Sequence, residues 1–240
     1  RFEDVLEPTA DGQDVNVRRR IKEPINKDQL LALVGESCHL RLDLGLKVPA
    51  LDQFVHTVEG TPEQRAHAQD LAYRETQIRG WRSQKGDDTY LSLVAEGRAC
   101  ALDPELSGLE VTGPTKLDFI AENVAQRYGA TKDHTFPKDP PGVQGALQVV
   151  FMSQGVPHGK EARSYGRLRA KLVEQGVPAE RIRLVHDYDA GPQRARLYED
   201  CRAGKVSVLI GSFNKMGYGV NIQDRLSDIH IADVGWNPAD

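Results

Sequence analysis

Apolar and polar positions are arranged differently in the two halves of this chain. In the first half, polar sequence gives way to apolar residues at helical spacing. Thr61-Pro62-Glu63-Gln64 has the form of a helix start: Thr61 as cap, Pro62 in the first turn, Gln64 three residues after the cap. This helix is predicted to run to about Ile78 and to be stopped by Gly80. A second helix is predicted over residues 89–101. A third starts near Pro114, carries Leu117, Ile120, Ala121, Val124 and Tyr128 on one face, and meets Gly129 as its stop. Nearer the start, Asn26 is placed to cap a short helix holding Leu30, Leu31 and Leu33, with Gly35 ending it. The alternation over residues 53–58 predicts a strand.

Residues 132–145 hold Pro137, Pro140, Pro141 and two glycines and read as a linker. Beyond it the pattern changes. Residues 147–152 are apolar except for Gln148, as in a strand buried on both faces. A helix over 162–175 ends at Gly176, a strand follows at 181–186, and a helix over 192–202 ends at Gly204. Further strands are predicted at 206–210 and 229–232. Strands alternating with helices at this spacing imply a parallel sheet with right-handed crossovers, a Rossmann- or RecA-like α/β unit.

Composition adds bounds. The chain has 240 residues, 39% hydrophobic and 28% charged, with a formal net charge of −4. That size buries a core without disulfides or metal. The acidic balance argues against an autonomous nucleic-acid binder but leaves room for a local basic patch or a groove shared with another domain. The basic cluster Arg18, Arg19, Arg20 and Lys22 reads as a solvated face. Cys38, Cys100 and Cys201 are far apart and form no CxxC pair, so reduced thiols in a cytoplasmic protein are the expectation. No apolar stretch approaches the roughly 20 residues needed to span a bilayer.

Candidate chemistry sits at predicted strand ends, where open parallel sheets bind ligands. The loop from Gly211 to Gln223 reads GSFNKMGYGVNIQ. Gly217 and Gly219 permit close backbone approach to a phosphate, and Ser212, Lys215, Asn221 and Gln223 supply polar groups. Ser153, after the 147–152 strand, is a second phosphate-binding candidate or a turn cap. His186, Asp187 and Asp189 lie together without a third ligand type and read as hydrogen-bonded loop residues; His56, His67 and His230 read as structural. Gly159-Lys160 and Gly204-Lys205 do not belong to a GxxxxGK[ST] loop, and no DExH, GxSxG or HExxH motif occurs. Asp139-Pro140-Pro141-Gly142 lacks the closing aromatic of a methyltransferase motif and reads as a turn.

The segment GSFNKMGYGVNIQDRL, followed by HIADVGWNPAD, resembles the motif V region of Swi/Snf-type superfamily-two DNA helicases. The likeness is to their bacterial and phage branch, often fused to an adenine-specific DNA methyltransferase. Trp236-Asn237-Pro238 is similar to the segment before that family's final motif, and residues 147–155 stand in the place of its motif IV. The stretch around Thr61-Pro62-Glu63-Gln64, the run Glu96-Gly97-Arg98-Ala99-Cys100-Ala101-Leu102-Asp103, Lys116-Leu117, and Leu46-Lys47-Val48-Pro49 also match, so the resemblance covers about residues 30–240.

The resemblance implies a domain plan: residues 1–60 as the exit from a first RecA-like domain, 61–131 as a helical insertion or bridging region, 132–146 as linker, and 147–240 as the second RecA-like domain, cut before the final arginine motif. It implies that Gly217, Gly219, Asn221 and Gln223 face an ATP cleft, that Ser212 and Lys215 lie towards the DNA backbone, and that Ser153 binds a tracking-strand phosphate. ATP and magnesium would be held mainly by the first domain of the parent protein, with DNA as the partner. The expected function is the C-terminal motor lobe of an ATP-dependent DNA helicase or translocase, inactive by itself. Alternatives are an inactive RecA-like binding or regulatory module, a fragment of a helicase–methyltransferase anti-restriction protein, and a sugar- or nucleotide-binding lobe of a transferase.

Overall fold

The computed structural model describes residues 2–8, 15–21, 26–37, 51–78, 88–137, 139–159, 161–188, 191–217 and 220–234. The expectations for Lys22, Cys38, Leu46-Lys47-Val48-Pro49, Gly80, Lys160, Asp189, Gly219 and Trp236-Asn237-Pro238 lie outside these residues. The chain divides into two compact units, Arg1–Thr57 and Val58–Asp240.

In the first unit, β1 (Phe2–Pro8) pairs antiparallel with β2 (Val15–Ile21). The register sets Glu3 across from Arg20 and Asp4 across from Arg19. Two positions of the basic cluster thus stand across from acidic ones, while Arg18 stands across from Val5; opposite charges at facing positions favour this register. Helix α1 spans Lys27–Ser37, starting directly after Asn26 and running past Gly35. Residues 53–58 form no strand. Phe54 and Val55 are exposed, and among the described residues no neighbouring strand offers that segment a ladder.

The second unit opens with three helices. Helix α2 (Pro62–Gln77) starts from a complete capping box between Thr61 and Gln64, as its sequence predicts. Helix α3 (Tyr90–Leu102) repeats the device with Thr89 and Ser92. Helix α4 (Lys116–Thr131) is capped by Thr115 with Asp118 and buries Leu117, Ile120, Ala121 and Val124. It continues through Gly129, which, like Gly35, does not adopt the left-handed conformation that ends helices.

Among the described residues, the rest of the unit is an α/β fold built on a four-stranded, all-parallel sheet ordered β4-β5-β3-β6, compatible with a RecA-like domain. Its elements are β3 (Leu147–Phe151), α5 (Arg163–Glu174), β4 (Ile182–Leu184), α6 (Pro192–Arg202), β5 (Val208–Gly211), the short α7 (Phe213–Met216) and β6 (Leu226–Ile231). Strand β4 is shorter than residues 181–186, because Val185–Asp187 tighten into a 3-10 turn whose Val185 enters the core.

The period-two alternation of the strands sorts the core into two faces. Val150, Ile182, Leu184, Val208 and Ile210 pack with α4 and α5. Leu147, Val149 and Leu209 pack with Leu197 and Cys201 of α6 and with Met216 and Ile222 of the connection from β5 to β6. The chain moves from β3 out to β4 over the first face, then back to β5 and across to β6 over the second. Opposite directions on opposite faces keep every crossover right-handed.

Gln148, the polar residue in the β3 run, is fully buried. Its amide nitrogen donates to the Val124 carbonyl at 3.1 Å, and its carbonyl meets His230 Nε2 at 2.9 Å. It thus ties α4, β3 and β6 together. Gln148→Leu should cost about 1–2 kcal/mol in urea unfolding, since it removes the side-chain donor to the Val124 carbonyl and the link to His230; an unchanged midpoint would remove this bridge from the fold.

Cys100 and Cys201 are buried free thiols. Burial, with Asp200 adding to it, pushes the Cys201 thiol up to about 12, and burial also raises Cys100. Thiolate is the reactive form. Iodoacetamide at mild alkaline pH is therefore expected to leave both unmodified in the folded chain and to label both in urea, as peptide mass mapping would read.

Candidate functional site

The carboxyl ends of the four parallel strands form one edge of the sheet. Met152 N–H donates to the Gly211 carbonyl at 2.9 Å, which sets the ends of β3 and β5 side by side. Ser153 follows β3, and Ser212 follows β5 as the N-terminal cap residue of α7. Ser212 is buried, whereas Lys215, inside α7, is exposed. Phe151 and Phe213 stack with centroids 4.6 Å apart and planes 5° from parallel, fixing α7 over the end of β3. The fold thus gathers Ser153, Ser212 and Lys215 along neighbouring strand ends.

The other described residues of the glycine-rich loop lie elsewhere. Gly217 ends α7 with φ −68°, not a left-handed conformation, and its N–H turns inward to the Phe213 carbonyl at 2.6 Å. A Cβ at Gly217 would meet that same carbonyl oxygen at 2.6 Å. The glycine permits a tight helix end rather than an open cradle. Asn221 is exposed, and its carbonyl accepts from Arg202 at the last turn of α6. Gln223 is exposed in the 3-10 turn Gln223–Arg225, with its amide donating to the Val220 carbonyl at 3.2 Å. Helix α6 descends from the carboxyl end of β4 to the amino end of β5, so Asn221 and Gln223 lie near the amino ends of the strands. They do not share one cluster with Ser212 and Lys215.

Two residues that the sequence reading did not single out organise the two edges. Asp233, buried after β6, accepts both Ser153 N–H, at 2.9 and 3.0 Å, and Gln154 N–H, at 2.8 Å. Gly155 follows in the left-handed region at φ +62°. Successive N–H groups before a left-handed residue make an anion nest, and here Asp233 fills it. Tyr165 OH donates to the Met152 carbonyl just before it. At the amino edge, the fully buried Arg225 donates to the Gly145 carbonyl from Nε (3.2 Å) and Nη2 (2.6 Å). It also pairs with Asp139, and Phe136 lies 5.0 Å from the guanidinium carbon. Asp233 and Arg225 are visible in sequence only as charges within the motif V-like stretch; their partners are about 80 residues away.

His186 packs edge-on against Tyr165 at 5.1 Å. Its pKa is lowered, first by burial and then by the charges of Lys215 and Arg194, with Asp187 opposing. Arg98, in the helical part, donates to the Val234 carbonyl beyond β6. Among the described residues, no group of three or more His, Cys, Asp or Glu side chains is arranged to hold a metal, and no helix is long and apolar enough to cross a membrane. No protein-family model and no curated protein matches the chain.

Proposed function

We propose that this chain is the second RecA-like lobe of an ATP-dependent DNA translocase or helicase, and that its sheet edge at Ser153, Ser212 and Lys215 grips a DNA strand. The reading is carried by one observation: three residues from two distant segments, each a candidate phosphate contact by sequence, follow the carboxyl ends of two adjacent parallel strands. Ligands of open parallel sheets bind at that edge. A hydroxyl pair and an ammonium group recognise backbone phosphate and carry no base information. Such a grip suits movement independent of sequence.

ATP and magnesium enter this reading through the resemblance. In it the exposed Asn221 and Gln223 face a nucleotide held by a partner lobe. Magnesium and the triphosphate grip are assigned to that other lobe, and ATP supplies the energy for closing and opening the pair. The part of this chain is to hold a phosphate at Ser153, Ser212 and Lys215 and to transmit closure through the connection that joins the two sheet edges.

The test is DNA binding by the 240-residue chain. Single-stranded oligonucleotides of unrelated sequence should bind with similar affinity that falls as salt rises. Lys215→Ala should weaken all of them alike and reduce the logarithmic salt slope by about 1. Binding that ignores salt and Lys215 would sink the proposed grip and favour a protein-binding or regulatory module.

A further inference from the structure

Three buried side-chain atoms near the end of β4 have no hydrogen-bond partner: His186 Nδ1, Arg194 Nε and Tyr198 Oη. They come from two elements. His186 lies in the 3-10 turn after β4, while Arg194 and Tyr198 stand four residues apart on α6 and so share a face. Helix α7, which carries Lys215, packs against the same turn. Arg194 Nη2 reaches the Tyr188 carbonyl at 3.4 Å, which leaves its Nε–H directed elsewhere.

A buried polar atom without a partner is unfavourable. Here two of the three belong to donors beside the Lys215 charge, and one of those, Arg194, is itself a cation. The Arg194 Nε–H can only donate and the Tyr198 hydroxyl can donate; His186 Nδ1 donates in the matching tautomer. The group that complements these donors is an acceptor-rich anion. Asp187 is the acidic group nearest His186, and its side chain is exposed.

We propose that His186, Arg194, Tyr198 and Lys215 form a binding site for a phosphate group at the carboxyl ends of β4 and β5. The site adjoins the Ser153–Ser212 edge, because β5 lies between β4 and β3. Phosphoryl oxygens accept from Arg194 Nε–H and Tyr198 O–H, and the Lys215 ammonium closes the outer side. That the phosphate belongs to a DNA strand rests on the function proposed above; the site itself does not.

Occupation has a spectroscopic mark. The groups facing His186 are Arg194 from α6, Lys215 from α7, Tyr165 from α5 and Asp187 from its own turn. Burial first, and then the two cations among these, lower the pKa of the imidazole below its ordinary value. An anion seated among them offsets that field and raises the His186 pKa.

The experiment follows the His186 imidazole resonances of the 240-residue chain through a pH titration. It uses no additive, inorganic phosphate, ADP, or a single-stranded oligonucleotide. Phosphate should raise the His186 pKa. Tyr198→Phe, which removes one oxygen, and Arg194→Gln should each weaken phosphate binding about tenfold with the fold retained. Loss of the phosphate effect on adding an oligonucleotide that itself raises the pKa assigns the site to the DNA strand. A response to phosphate and ADP but not to the oligonucleotide keeps the site and overturns the DNA reading of it. A His186 titration indifferent to excess phosphate, or variants that bind as the parent does, would overturn the site.

Discussion

Arg225→Met is expected to lower the unfolding free energy by about 3–5 kcal/mol, the usual cost of breaking one side of a buried ion pair. The guanidinium side chain is 2% exposed and its partner Asp139 11%. Methionine fills most of the volume but leaves the Asp139 carboxylate and the Gly145 carbonyl without their donor. Asp139 Oδ2 still accepts the Phe136 N–H at 2.8 Å, so the carboxylate stays anchored in its buried place. A double-mutant cycle with Asp139→Asn separates the pair from the packing. The double variant should be less destabilised than the sum of the two single changes, because the stranded charge is then absent. Urea unfolding checks this, and added salt should change the result little at so buried a site. A loss below about 1 kcal/mol, the range of exposed pairs, would mean that Arg225 does not clasp the 132–145 segment.

Gly155→Ala is expected to cost about 2–4 kcal/mol, combining the strain of a left-handed alanine with overpacking. Gly155 is buried at φ +62°, and a Cβ there would lie 2.5 Å from Ser164 Cβ and on top of its hydroxyl oxygen. Ser164 cannot simply swing away. Its hydroxyl donates to the buried Asp103, which also accepts from Arg167 and ties the end of α3 to α5. The insult at one glycine therefore spreads to the seam between the helical part and the sheet. Ser164→Gly in the same chain should recover part of the loss by opening space. An alanine variant as stable as the parent would contradict the described close approach.

The elements whose signals are local were legible. The Thr61 and Thr89 starts, the amphipathic face of α4 and the apolar runs of β3 and β5 all follow from neighbours within a few residues. The β1–β2 pairing was not, because charged positions obscured the alternation, and Glu3 and Asp4 meet Arg20 and Arg19 only through the register of the paired strands. The segment over residues 53–58 shows the converse: an alternating pattern remains irregular where no ladder partner exists. At the candidate site, Ser153, Ser212 and Lys215 could be named as strand-end residues once the sheet was parallel. The roles of Asp233, Arg225 and Gln148 could not, since each depends on a partner brought near only by the crossover path. The glycine-rich loop is continuous in sequence, yet the connection between two parallel strands returns the chain to their amino ends, so Asn221 and Gln223 lie apart from Ser212 and Lys215.

The connection between β5 and β6 is held along its whole described course. Its head is seated by the Phe151–Phe213 stack, its middle by Met216 and Ile222 in the core, and its foot by the Arg225 clasp. Each described stretch of it is thus fastened to the body of the domain. At its foot the Arg225 side chain ties the start of β6 to Gly145 and Asp139. A change at the head of the connection and a change at its foot therefore both bear on the same α/β core.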